Sequence, residues 1–206
     1  RQEAVDIRIS ATGSIPDNGP RRTAAEVADS VESLVLDLVD KYVWARGETT
    51  WAQALDQRLE ALGWTLATVE VGTRGALTAL LADMDRLALA ESHAVAADAP
   101  AGSAPSTGAI RYDPAVSAAI PEDDTDDALV TLVHALRERA GTDAALGVRV
   151  TGRGQDTAVE VAIETHKGVK HERRLAFLRG TQGRHRSAIT AASLLLATLP
   201  RGAGSR

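Results

Sequence analysis

The residues with the clearest chemical potential in this 206-residue chain surround a glycine-bracketed turn, Gly72-Thr73-Arg74-Gly75. An apolar run rich in β-branched residues, Trp64 to Val71, precedes the turn, and apolar residues at helical spacing follow it. This order predicts a strand, a turn and a helix, and the first N–H groups of such a helix attract a phosphate or carboxylate. Glu70, Thr73 and Gly75 would then line a polar pocket. The alternative is a tight connection that binds no ligand, in which Thr73 only caps the helix.

A second glycine-containing stretch follows another predicted strand, Leu146 to Thr151. Thr151, Gly152 and Gly154 stand at the end of this strand, and sheets of this kind bind ligands in the crevice beyond the carboxyl ends of their strands. The alternative is a turn whose glycines need a positive φ. The pattern is compatible with both interpretations.

Other polar residues give weaker indications of chemistry. His93 lies in a predicted strand from Leu87 to Ala96, as a proton carrier near neutral pH or as a solvent-facing residue without a catalytic role. An acidic run from Asp123 to Asp127 precedes a predicted helix, whose dipole favours negative charge there. Three further histidines lack the regular close spacing of a metal site, so we assign no metal: His166, His171 and His185.

Composition excludes several classes of function. The chain has no cysteine, which excludes disulfides, thiolate zinc sites and a cysteine nucleophile. With a net charge of −5, basic residues concentrated only in 170–174 and 179–186, and few aromatic residues, it is not expected to bind nucleic acid. It has no membrane-length apolar run and no signal pattern, so we expect a cytoplasmic protein that binds no membrane. Because it starts at Arg1 and has one methionine, Met84, we expect an upstream domain in a longer chain.

The pattern predicts two domains and a tail. Residues 1–47, with an alternating segment from Val5 to Ser10 and a helix capped by Thr23, resemble the trailing part of a small α/β domain. Residues 48–200 open with a capping box at Thr50 and then mix strands and helices, with a hairpin at Lys167-Gly168. We therefore predict an α/β fold in which helices sandwich a mixed β-sheet, followed by a disordered tail at 201–206.

Two segments share their pattern with a known family. Residues 65–77 read TLATVEVGTRGAL and residues 150–155 read VTGRGQ. They resemble the T-x-A-T-A-E-S-C-T-G-G-L-L and V-T-G-I-A-G-P patterns of the competence/damage-inducible CinA family. The order of elements is also similar to that of the family's C-terminal domain, so the resemblance implies the nicotinamide-mononucleotide deamidase fold, preceded by part of a linker domain.

This sequence departs from the family at the positions that the family uses for catalysis. Val71 stands where the family has the serine that attacks the amide carbon, and a valine has no oxygen to activate. The family's tyrosine in Y-S-N falls near residues 96–98, which contain no tyrosine. Its arginine in P-G-D-R is replaced by a segment in which Arg179 or Arg184 would supply the charge.

The resemblance therefore implies a domain that has lost deamidase catalysis and has a structural, oligomerisation or nucleotide-binding role. A pyridine nucleotide and further copies of the chain are the implied partners, and no cofactor is expected. The alternative is an active nicotinamide-nucleotide amidohydrolase with relocated groups, Thr73 with Arg184 or Lys167. The candidate ligand-binding residues are Glu70, Thr73, Gly75, Thr151, Gly152, Gly154, Arg179 and Arg184.

Overall fold

The structure, a computed structural model, describes residues 7–13, 22–93, 128–153, 156–176 and 179–200. The chain forms two compact units, with the division between Thr49 and Thr50. Gly154, residues 96–98, the acidic run from Asp123 to Asp127 and the tail at 201–206 lie outside the described residues.

The smaller unit contains one long helix, α1 (Ala24–Val39), and a short 3-10 turn, Asp40–Tyr42. Thr23 and Glu26 form a capping box at the start of α1, which explains why the helix begins there. The predicted strand from Val5 to Ser10 is wrong in its described part, because residues 7–10 form no strand. An alternating pattern becomes a strand only when another strand pairs with it, and no ladder is described for these residues.

The larger unit contains four helices and five strands in its described residues. Its helices are α2 (Trp51–Leu62), α3 (Ala76–Leu80), α4 (Ala128–Ala140) and α5 (Gly180–Thr198). Its strands are β1 (Leu66–Val71), β2 (Leu87–His93), β3 (Ala144–Arg153), β4 (Asp156–Thr165) and β5 (Gly168–Ala176). Among the described residues, none of the helices has the length and apolar character needed to span a bilayer.

The five strands form one mixed sheet in the order β2-β1-β3-β4-β5. Strand β1 pairs in parallel with β2 and with β3, whereas β3, β4 and β5 are successive antiparallel neighbours. The hairpin predicted at Lys167-Gly168 joins β4 to β5. The predicted mixed sheet between helices is confirmed.

Helices cover both faces of the sheet. Helix α4 packs on one face, where the core contains Val69, Leu129, Val133 and Ala162. Helix α5 packs on the other face together with α2 and α3, and its central residues are buried. The close packing of α4 on β3 explains the glycine at position 147, because a Cβ there would collide with Val133 and would lie 3.0 Å from Leu129.

The topology brings several element ends to one edge of the sheet. Strands β1, β2, β3 and β5 all end at this edge, since β5 is antiparallel to β4 and therefore runs in the direction of β3. Helices α3 and α5 begin just after β1 and β5, and α4 runs back along β3 from the same end. We call this the carboxyl edge, and it is where ligands bind in open α/β sheets.

Candidate functional site

The carboxyl edge contains the candidate ligand-binding residues that the structure describes. Glu70, Thr73 and Gly75 lie at the end of β1, and Thr151 and Gly152 lie at the end of β3. Arg179 and Arg184 lie at the start of α5. The fold therefore gathers three separate segments at one edge, as a ligand site would require.

The Glu70 carboxylate occupies the start of helix α3. It is buried, and its Oε2 accepts a hydrogen bond from the N–H of Leu77 at 2.9 Å and another from the hydroxyl of Thr73. Its Oε1 accepts from the N–H of Thr78 at 3.2 Å and from the Thr78 hydroxyl at 2.5 Å. A single carboxylate therefore binds the donors that a phosphate would have used.

Glu70 and Thr73 have an internal structural role at the turn, and their predicted role in ligand binding stays a prediction. The Glu70 carboxylate binds the helix start and accepts from the Thr73 hydroxyl, and both residues are buried. A structural cap is present at the start of α3, and the Glu70 carboxylate provides it, whereas the Thr73 hydroxyl donates to that carboxylate. Sequence reasoning missed this because Glu70 precedes its two amide donors by seven and eight residues, outside the spacing of ordinary caps.

The turn itself adopts an uncommon backbone conformation. Arg74 has a φ of 56°, and Gly75, the residue before α3, has a φ of 84°. Glycine adopts this conformation readily, whereas arginine does so at a cost. Gly75 is therefore explained by backbone geometry.

Val71 lies inside the sheet next to two polar residues. It pairs with His93 on β2 and with Arg149 on β3, so the three side chains share one face of the sheet. Val71 is 4% exposed and offers only methyl groups. The position of the family's serine is therefore apolar and packed in this chain.

His93 is buried rather than solvent-facing, which corrects the second of its two predicted roles. It is 7% exposed, and its Nε2 lies 3.5 Å from Glu91 Oε2. Glu91 also pairs with Arg139 of helix α4. The alternation along β2 places His93 on the sheet face that α4 covers, because its cross-strand partner Val71 is on that face.

A cluster of charged residues continues the same row across the sheet. Glu160 of β4 is buried and pairs with Arg149 of β3, whose Nε donates to Glu160 Oε2 at 2.8 Å. From β5, His171 Nε2 lies 2.8 Å from Glu160 Oε1, and an Arg173 guanidinium nitrogen lies 3.9 Å from the same oxygen. We call Arg149, Glu160, His171 and Arg173 the cationic cluster.

Sequence reasoning did not identify the cationic cluster, although a signal was present. The hairpin turn at Lys167-Gly168 sets the register of β4 and β5, and counting back from it pairs Glu160 with Arg173. Its connection to Arg149 needs the β3–β4 register, which depends on a turn that the sequence pattern did not define.

Thr151 and Gly152 belong to β3 itself rather than to a turn. They pair with Ala158 and Thr157 on β4, and the strand continues to Arg153. The alternative prediction, that Gly152 needs a positive φ, is therefore wrong, because its φ is not positive. A side chain would also fit at this position, since a Cβ there would meet no atom within 4 Å. Both residues are exposed at the carboxyl edge.

The start of α5 is basic and open to solvent. Arg179 precedes the helix without a side-chain cap, and Arg184 donates to the hydroxyl of Thr181 at 3.1 Å. A shallow cavity of about 370 Å³ lies on this first turn, lined by Thr181, Gln182, His185 and Arg186. Lys167, by contrast, lies in the β4–β5 turn at the opposite edge of the sheet, so the fold does not bring it to Thr73.

A histidine outside this site has a shifted pKa. His134 of α4 lies 3.0 Å from Glu164, which also pairs with Arg137. The hydrogen bond that the His134 imidazole donates to the Glu164 carboxylate raises the pKa of His134 above its usual value of 6.5. In the described ranges, no three carboxylate or imidazole side chains are arranged to hold a metal ion.

Comparison with known proteins supports the family resemblance. No protein-family model matches the chain. A CinA-like protein from Deinococcus deserti is 34% identical over 83 residues, which are 40% of this chain and 19% of that protein. The chain thus spans about a fifth of that relative's length.

A solved structure at 15% identity shows the same fold. A competence or damage-inducible protein from Enterobacter asburiae superposes with a TM-score of 0.50 and 15% identity, covering 74% of this chain and all of that chain. A competence/damage-inducible protein from Agrobacterium tumefaciens gives a TM-score of 0.48 and 15% identity, over 71% of this chain and 92% of that chain. The resemblance predicted from the two sequence motifs is confirmed.

Proposed function

We propose that the chain is a divergent relative of the CinA family and that its larger unit binds a pyridine nucleotide without deamidating it. The unit then has the fold of a CinA C-terminal-like domain and a binding or structural role in a longer protein. The observation that carries the proposal is the buried, apolar Val71 at the serine position.

The loss of the serine matters because the family reaction needs a nucleophilic oxygen at the end of β1. Covalent catalysis requires a side chain whose oxygen a neighbouring base can activate. Val71 has no such atom, and its neighbours in register are a histidine and an arginine. A hydroxyl from elsewhere in the chain would have to take its place.

Thr73 is poorly suited to that replacement. Its hydroxyl is buried and donates to the Glu70 carboxylate, so nucleophilic attack would require it to leave the helix cap. Lys167, one of its two predicted partners, lies at the other edge of the sheet. Arg184 lies at the correct edge, but an arginine stays protonated and does not act as a base.

The test of lost catalysis is ammonia release from nicotinamide mononucleotide. Purified chain at micromolar concentration should release no more ammonia than a buffer blank, with an active CinA-like deamidase as the positive control. The matched variant Thr73→Ala should leave this result unchanged. Release by the unaltered chain at a rate proportional to its concentration would refute the proposal.

The test of nucleotide binding is a ligand-induced thermal shift. A ligand that binds only the folded state raises its stability by mass action, by about 2.7 kcal/mol at one hundred times its Kd. We expect nicotinamide mononucleotide and its deamidated product to raise Tm more than adenosine diphosphate ribose does. If none of the three shifts Tm, the structural and oligomerisation roles are the ones to pursue, by measuring the mass of the chain in solution.

A second candidate function is amide hydrolysis without a serine, and the position of buried His93 beside half-buried Glu91 favours it. In this scheme His93 takes a proton from water, the water oxygen attacks the amide carbon, and the proton passes to the departing ammonia. Glu91 would orient the imidazole, because a carboxylate holds the ring proton on the nitrogen that faces it, here Nε2, and leaves Nδ1 to accept the proton from water. Ammonia release that is lost in His93→Gln but retained in Thr73→Ala would select this mechanism.

A further inference from the structure

We propose that helix α1 of the smaller unit pairs in antiparallel orientation with the α1 helix of a second copy of this chain. The pairing surface is an apolar row along the helix, formed by Val27, Val31, Leu34 and Leu38. We call these four residues the α1 seam. They belong to a different unit from the candidate ligand-binding residues, so the inference does not depend on nucleotide binding.

The α1 seam is largely exposed to solvent. None of the 16 residues of α1 is buried. Val31 is 39% exposed, Leu34 is 65% exposed and Leu38 is 80% exposed. A helix with one apolar face gains most of its stability when that face packs against another element. The described residues leave these three side chains uncovered, so the seam is a surface on which a partner can pack.

The spacing of the α1 seam is that of a two-helix pair. Its residues follow one another at intervals of four, three and four, as the a and d positions of a coiled coil do. Because these intervals read the same in both directions, an antiparallel second copy places Val27 opposite Leu38 and Val31 opposite Leu34. Each smaller side chain then meets a larger one, which favours interdigitated packing.

The acidic residues of α1 do not oppose this pairing. Glu26, Asp29 and Glu32 occupy the c, f and b positions of the same heptad pattern, which face away from a partner helix. Asp37 occupies a g position, which flanks the seam. In an antiparallel pair the g positions of the two helices face each other, so Asp37 faces Ser30 of the second copy. No carboxylate therefore faces another across the pair.

A cation lies where the antiparallel pair places Asp37. The Arg22 guanidinium donates to the carbonyl oxygen of Glu26 at 3.0 Å and to the hydroxyl of Ser30. An Asp37 carboxylate that reaches Ser30 of a second copy therefore meets Arg22 of that copy, and symmetry repeats the ion pair. Within one copy Ser30 precedes Asp37 by seven residues, or about two helical turns, so this ion pair needs two chains.

The experiment is sedimentation velocity of the full chain as a function of concentration. Helix α1 is only about 24 Å long, so the pair is smaller than a standard stable interface and we expect a Kd in the micromolar range. The mass should rise from that of one chain to that of two over roughly 1–200 µM, which brackets such a Kd. A chain that stays monomeric throughout this range would overturn the inference.

Leu34→Ser tests the apolar part of the α1 seam. It should weaken the dimer about a hundredfold, because each dimer loses two leucines from its interface. Its far-ultraviolet circular dichroism should not change, since Leu34 is 65% exposed within one copy. The matched control is Leu175→Ser on β5, which also removes an exposed leucine and should leave the Kd unchanged. A dimer that Leu34→Ser does not weaken would place the interface elsewhere and overturn the inference.

A charge exchange tests the antiparallel register. Asp37→Arg should weaken the dimer about tenfold, because it replaces two ion pairs by two contacts between like charges. Adding Arg22→Glu to Asp37→Arg should restore the original Kd. The control Asp29→Arg makes the same change of charge on the far side of α1 and should have no effect. Equal effects of Asp29→Arg and Asp37→Arg, or no recovery in the double variant, would overturn the proposed pairing.

Discussion

Replacing Glu70 tests whether the strand-to-helix turn is held by the chain's own carboxylate. Glu70→Ala leaves the N–H groups of Leu77 and Thr78 and the hydroxyls of Thr73 and Thr78 without their acceptor. Each buried donor left unsatisfied costs about 1–3 kcal/mol, and the hydroxyls can rotate toward other acceptors. We expect the free energy of unfolding to fall by about 3–5 kcal/mol, a large share of the stability of a domain of this size.

The assay is urea unfolding of the full chain, followed by tryptophan fluorescence and by far-ultraviolet circular dichroism. The matched control is Glu172→Ala, which removes a carboxylate from the margin of the sheet, where it pairs with Lys170 and Arg174. Exposed ion pairs contribute about 0–1 kcal/mol, so this control should lose little stability. If Glu70→Ala loses no more than the control, the cap is not structural and the turn amides are open to a ligand.

Three smaller perturbations probe the same unit. Arg74→Gly should raise the free energy of unfolding by up to about 1 kcal/mol in urea titrations, because glycine adopts the positive φ of this position without the steric cost that arginine has there. A lower free energy of unfolding in the variant would contradict this. Gly147→Ala should lower it by about 1–3 kcal/mol through overpacking against Val133, and an unchanged urea midpoint would show that α4 can move away. Because the pKa of His134 is raised in the folded chain, its protonated imidazole stabilises the fold below pH 6.5. This contribution to the free energy of unfolding is lost as the pH rises through the raised pKa. The stability of the chain should therefore fall relative to His134→Gln between pH 5.5 and 8.5, and parallel profiles would contradict the assignment.

The sequence predicted those parts of the fold that depend on local pattern. The glycines at 72 and 75 marked the connection from β1 to α3, and Lys167-Gly168 marked the β4–β5 hairpin. The capping box at Thr50 placed the start of α2 at Trp51. Each of these features is encoded within about four residues, which is why single-sequence reasoning finds it.

The sequence could not predict contacts between distant segments. The Glu70 cap depends on the angle at which α3 leaves β1, and the burial of His93 depends on which face of β2 helix α4 covers. The cationic cluster draws on three strands, so it needs two strand registers at once. Glu70 and His93, which the sequence pattern assigned to ligand binding or to solvent, instead contact other residues inside the fold, because these contacts depend on how distant segments pack.

The mixed topology of the sheet has a consequence for how the larger unit folds. Strands β3, β4 and β5 are consecutive antiparallel neighbours, so they can pair with short loop closures. Pairing of β1 with β3 joins segments 78 residues apart, marked by the hydrogen bond from the Thr65 N–H to Asp143 at 2.8 Å. Such non-local pairing is slow, so the rate of folding should be set by the arrival of β1 on a meander that is already formed.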